Sequence, residues 1–204
     1  MRKTAALALG LVLALGTVSR GRATEFEIDQ SHSNILFKVK HLGISTVMGK
    51  FDKFEGEFTF DEKNPKGDKV EVTIDATSVD TQNDRRDTHL KSADFFEVEK
   101  YPTAKFTAKK ATELKDGKFR LSGDLTLHGV TKPVVLDVEY SGAVTDKMMG
   151  QRVAFTATTE INRQDFGVKW NKTLDNGGVV VSDKVKLELD IEGVVKKDGD
   201  DKKK

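Results

Sequence analysis

The chain has 204 residues, 33% of them charged, with 34 Lys plus Arg against 33 Asp plus Glu and no cysteine. This near-neutral balance gives no electrostatic case for nucleic acid. The missing thiols exclude disulfides, thiolate metal sites and iron–sulfur clusters, so one apolar core must hold one domain of this length.

Residues 1–23 read as a secretory signal peptide. Arg2 and Lys3 make a basic start, residues 5–18 form an apolar run, and Gly21-Arg22-Ala23 offers small residues to a signal peptidase. The run is short for a membrane span, which leaves a retained anchor as the alternative. Cleavage after Ala23 removes four basic residues and leaves 30 basic against 33 acidic. With no cysteine to carry a lipid at the cut, the product is expected to be periplasmic or secreted.

From residue 24 the pattern is that of strands. A short one covers Phe26 to Ile28. The next alternates Ile35, Phe37 and Val39 against Leu36, Lys38 and Lys40, and ends in a turn at 41–45. Strand character resumes near Val47 and runs to Phe60. Phe51 and Phe54 cannot share a face at period two, which predicts a bulge at Asp52-Lys53. A turn at 64–68 precedes a strand over 70–79. The spacing predicts one helix, Asp84 to Lys91, capped by Asn83 or Asp84 and supported by an Asp87–Lys91 pair. Five strands follow, near 104–111, 118–128, 132–144, 151–161 and 179–194. Turns are expected at 115–118 and 129–132, and at 146–150 with Met148 and Met149 exposed. The residues after 195 read as a disordered charged tail. The fold class is therefore all-β: one extended antiparallel barrel over 24–195, of about eight strands, with a short helical insertion.

Parity nominates the interior. Phe37, Val39, Phe58, Phe106, Leu125, Leu127 and Phe155 fall on inward rows. His41 continues the Phe37 row and Arg163 the Phe155 row, so both should reach the barrel mouth. The Arg163 guanidinium there either receives a ligand head group or forms a structural ion pair with Asp165 or another carboxylate. Trp170 shares parity with Phe166 and Val168 and lines the mouth or packs in the core. His32, His41, His89 and His128 lack ligand spacing, so no metal is expected; His128 should face away from the interior. Arg85, Arg86, Asp87 and His89 crowd the helix, but no nucleophile elbow, carboxylate pair or phosphate loop accompanies them. No catalytic residues and no cofactor are expected.

Several stretches also carry a resemblance. They are 29–33 leading to Phe37-Lys38-Val39-Lys40-His41-Leu42-Gly43, Gly49-Lys50-Phe51 with Phe54-Glu55-Gly56, Arg86 to Phe96, Tyr101-Pro102, Gly123 to Pro133, and Arg163-Gln164-Asp165-Phe166-Gly167-Val168. In that order the chain resembles the YceI-like family of exported lipid-binding proteins. The resemblance implies a lipocalin-like barrel with an apolar pore and a long isoprenoid ligand, such as a polyprenyl phosphate or an isoprenoid quinone. It also implies no agreed catalytic activity and, in some relatives, a homodimer. The alternatives are an enzyme acting on a lipid at the mouth, and an exported stress or interaction protein with a packed core.

Overall fold

The computed structural model describes residues 23–65, 69–112, 114–175 and 177–196. The signal segment (except Ala23), the centre of the 64–68 turn and the tail beyond Lys196 lie outside these residues.

Among the described residues, eleven strands and one α-helix follow one another: β1 Thr24–Ile28, β2 Asn34–His41, β3 Ser45–Phe51, β4 Phe54–Phe60, β5 Val70–Asp75, β6 Val79–Asp80, α1 Asp84–Lys91, β7 Thr103–Ala111, β8 Lys118–Leu127, β9 Val130–Asp146, β10 Gly150–Asn162 and β11 Val181–Val195. They make eight staves of a closed antiparallel barrel. β1 continues into β2, β3 into β4 and β5 into β6, and each pair is one interrupted stave. β11 closes the circle by pairing with both β1 and β2. Every other stave pairs with its chain neighbour, so hairpins and the α1 insertion suffice as connections.

The interruptions adjoin one another across neighbouring staves. β3 pairs with β2 and β6, whereas β4 pairs with β1 and β5. The stave changes partners at Asp52-Lys53, where an unbroken ladder with a bulge was expected. The backbone N–H of Asp52 donates to Ser78 O at 3.1 Å, and that of Asp75 donates to Lys53 O at 2.9 Å. The strand expected over 70–79 is likewise split by a 3-10 turn at Ala76–Ser78, because Asp75 accepts from the Thr77 backbone. The third break, at 29–33, is tied to this belt by Gln30, whose side chain donates to Asp52 O at 2.7 Å.

The predicted helix has the expected bounds, and the Asn83 side chain accepts from the Arg86 backbone as its cap. Asp87 acts differently from expectation. Its carboxylate accepts from the Thr81 backbone at 3.0 Å and from the Thr81 hydroxyl at 2.5 Å, clipping the helix to β6. The turn expected at 129–132 is centred two residues earlier. His128 (φ 52°) and Gly129 (φ 73°) connect the paired residues Leu127 and Val130, the left-handed pair a two-residue hairpin requires. His128 is thus a corner residue, outside strand alternation. Its ring lies edge-on to Tyr101 at 4.7 Å and its Nδ1 is 3.2 Å from Phe166 O. That contact bolts the loops after α1 and β10 to the hairpin.

Candidate ligand-binding site

The inward rows enclose two apolar chambers. The first, about 230 Å³, lies at the end of the barrel carrying the β2–β3 turn and α1; the second, about 140 Å³, lies deeper. Ile35, Ile74, Leu125 and Leu187 line both, so the chambers meet at a waist made of these four side chains. Phe37, Val39, His41, Leu127, Arg163 and Trp170 line the mouth chamber. Phe58, Phe106 and Phe155 line the deep one, and Leu125 belongs to both. All ten residues named from parity therefore line one or the other of these two adjoining chambers.

Strand alternation supplies these walls but not the roof. Arg86, His89 and Leu90 of α1, with Phe95 and Phe96 just after it, cover the mouth chamber. None of these five is among the site residues named from parity. The available signal was that Leu90, Phe95 and Phe96 are large apolar groups in a strongly charged stretch and need something to cover. His89 stacks edge-on against both Phe95 and Trp170 at 5.0 Å, and its Nε2 lies 2.7 Å from Asp94. That ladder joins α1 to the loop after β10. The other side of the lid rests on Arg86, whose Nε donates to the Thr81 hydroxyl and Nη2 to the Thr81 carbonyl, both at 2.7 Å.

Arg163 is 4% exposed, and its guanidinium is engaged by the protein. Nε donates to Ser182 O at 3.0 Å, Nη1 to Val168 O at 2.7 Å and to Trp170 O at 2.8 Å, and Nη2 to Asp183 Oδ1 at 3.0 Å. The ion-pair partner is Asp183 on β11, not Asp165. Burial pulls the guanidinium below its usual basicity, and the Asp183 charge opposes that pull. Arg163 shapes the mouth by holding the 168–170 segment against β11. The ionisable groups among the described lining residues of this chamber are Lys40, His41, Arg86, His89 and Arg163; none is a carboxylate.

One cluster offers metal-type ligands among the described residues: Asp29, His32 and Glu192. A fixed cation already stands between its carboxylates. Arg152 Nη1 donates to Asp29 at 2.7 Å and also to Glu192. Hydrogen bonds from Ser31, Arg152 and His32 hold the Asp29 carboxyl far below the ordinary carboxylate range. The cluster staples the break between β1 and β2 to β10 and β11.

Comparison with known proteins decides the family. The YceI-like domain matches residues 26–193. The chain belongs to the YceI-like family. A UPF0312 protein of Pseudomonas aeruginosa is 44% identical over 199 residues, covering 95% of this chain and 98% of that protein. One of Vibrio parahaemolyticus is 40% identical over 196 residues, covering 95% and 100%. Among solved structures, a YceI protein of Campylobacter jejuni superposes with a TM-score of 0.67 at 35% identity, over 79% of this chain and 91% of that one. A polyisoprenoid binding domain from Saccharophagus degradans has a TM-score of 0.63 at 17% identity, over 86% and 100%, a likeness of fold. The YceI-like barrel expected from the sequence is thus the fold found. No helix among the described residues is long and apolar enough to cross a membrane.

Proposed function

We infer that this YceI-like chain is a non-catalytic carrier of a long isoprenoid lipid or a similar amphiphile. The tail occupies the two chambers and the head group stays at the mouth. The observation that carries this reading is that two apolar chambers adjoin along the barrel at the Ile35–Ile74–Leu125–Leu187 waist, with the basic groups gathered at one end. A tail gains about 0.8 kcal/mol for each CH2-sized group buried, before the cost of ordering it. A few polar groups at one end of an apolar cavity orient an amphiphile. Lys40, His41 and His89 suit an anionic phosphate or a quinone carbonyl. The polyisoprenoid binding domain of Saccharophagus degradans, which shares the fold, supports the choice of ligand class. The apolar leader over 5–18 supports export to the periplasm or beyond.

A second reading, an enzyme acting on the head group, draws on the convergence of His41, Arg86, His89 and Arg163 on one chamber. Binding without turnover is preferred because Thr81, the hydroxyl lining that chamber, already donates to Asp87 and accepts from Arg86.

Native mass spectrometry of freshly purified protein, with solvent extraction, tests the carrier reading. The expected result is a mass increment that extraction removes and added isoprenoid quinone or polyprenyl phosphate restores unchanged. The same spectrum reads whether the protein pairs as a homodimer. No increment and no uptake would sink the carrier, and release of a cleaved head group would favour the enzyme.

A further inference from the structure

We propose that the mouth end of the barrel is a membrane-docking surface, which seats the chamber opening on a lipid bilayer that contains anionic phospholipid. The proposal rests on the carrier reading, since it explains how a tail insoluble in water enters the chambers.

The β2–β3 turn presents Ile44, 83% exposed, and Leu42, 38% exposed. Beside it, the segment leading into β11 presents Val179, 46% exposed. The two are one surface, because the Leu42 backbone N–H donates to Val180 O at 2.9 Å and His41 pairs with Val181 across the ladder. His41 and Val181 both line the mouth chamber. The exposed apolar groups therefore continue the chamber wall outward past its rim, with the interior of a bilayer as the matching phase. Water-exposed apolar groups grouped at an opening are the feature of an interaction site, in contrast to singly scattered ones.

Charge specifies the headgroup region. Lys40 precedes His41 at the end of β2 and Lys169 stands between the lining residues Val168 and Trp170. Lys172 O accepts from the Val180 backbone at 3.0 Å, which puts that residue opposite Val180. All three lysines are exposed. Of the carboxylates in this region, Asp183 is engaged by Arg163 and Gln164, Asp94 by His89 and Asp87 by Thr81, whereas Asp165 and Asp175 are exposed in the loops after β10. Lysines around an apolar tip match the phosphates around an acyl layer. At the opposite end the β9–β10 turn exposes Met148, at 96%, and Met149. That turn is remote from the mouth in the barrel and serves as an internal control.

Sedimentation of the purified protein with phosphatidylcholine vesicles, with and without phosphatidylglycerol, tests the proposal. Phosphatidylglycerol should raise partitioning by about tenfold or more, and added salt should reverse that gain. The Ile44→Asp, Val179→Asp double variant should weaken partitioning by about tenfold or more, and slow transfer of isoprenoid from vesicles. Its isoprenoid uptake from detergent micelles, and its circular dichroism, should match the parent. Met148→Asp, Met149→Asp should behave as the parent throughout. Absence of vesicle binding, or equal binding by the double variant, overturns the docking surface. Uptake from micelles is read separately, so a protein that takes isoprenoid without touching vesicles refutes docking while leaving the carrier standing. One that binds vesicles through Ile44 and Val179 without any uptake refutes the carrier instead.

Discussion

The two ends of the barrel are made by the same alternation of inward and outward residues, yet they handle their aromatic rings differently. At the deep end the rings interlock. Phe155 touches Phe58, Phe60, Tyr140 and Phe119 with centroids 4.9 to 6.3 Å apart, and Phe26 stacks on Phe58 at 5.3 Å. Backbone is pressed against them too: a Cβ built on Gly193 would stand 2.3 Å from the Phe58 ring. At the mouth the rings form a shell. Phe51 bridges Phe37 and Phe96, and His89 bridges Phe95 and Trp170, around the larger chamber. The deep end gathers its rings into one cluster about Phe155, whereas the mouth divides them between Phe51 and His89, beneath α1 and the segment after it. One end serves stability and the other leaves room.

The largest effect follows from that division. Phe58→Ala, or Phe26→Ala at a residue only 2% exposed, should lower unfolding stability by about 3–5 kcal/mol. Val39→Ala, in the half-buried mouth wall, should cost about 1 kcal/mol. Urea denaturation reads both, and equal losses at the two ends would erase the distinction.

Arg163 is the exception at the mouth, because it is a buried cation that knits loop to strand. Arg163→Met should cost about 2–4 kcal/mol, since it abandons carbonyls of Ser182, Val168 and Trp170 as well as Asp183. Arg163→Lys should recover little, as a point charge cannot reach acceptors arrayed around a planar fork. Recovery of stability in the Lys variant would reduce the residue to an ordinary ion pair.

The waist tests whether the two chambers work as one. Leu125→Trp should cost about 1–3 kcal/mol through overpacking and close the passage. Native mass spectrometry should then find a short isoprenoid retained in the mouth chamber and a long one excluded. Unchanged uptake of the long chain would mean that the tail does not pass the waist.

Most of the walls were legible in the sequence because period two is a local property. Phe58 and Phe155 announce their face through their neighbours at i±2, and the nine runs read from the sequence become eight staves once the first two are joined end to end. The site's roof was not legible in the same way. Leu90, Phe95 and Phe96 sit among charges with no periodic partner, and only the fold brings them over His41 and Trp170. The breaks at Asp52-Lys53 and Ala76–Ser78 were half legible. A change of phase between Phe51 and Phe54 says that something interrupts the strand. It does not separate an extra residue within one ladder from a change of partners, because both shift alternation by one. The partner of Arg163 was unreadable for a related reason. Asp165 is near in sequence, but Asp183 is near across the β10–β11 ladder, and register is fixed by the barrel as a whole.

The smallest expected effect concerns the staple between the two ends, and its sign can be worked out. Asp29 is held ionised by Ser31, Arg152 and His32, so its carboxyl titrates well below the ordinary range in the folded protein. A carboxyl depressed in this way contributes stability that is fully present above its unfolded value, about 3.9. That contribution is lost as the pH falls from there through the folded value. Asp29→Asn should therefore lower the urea midpoint at neutral pH, and the parent and variant curves should converge as the solution is acidified below about pH 4. The gap should stay constant between about pH 5 and 7, where the Asp29 carboxyl is ionised in both folded and unfolded chains. Parallel curves down to low pH would show that the charge of the Asp29 carboxylate contributes nothing to folding. Convergence would place the effect in the ionised carboxylate, which Ser31 caps and which Arg152 ties to the uninterrupted β10 and β11, so that the roomy end stays anchored to the packed one.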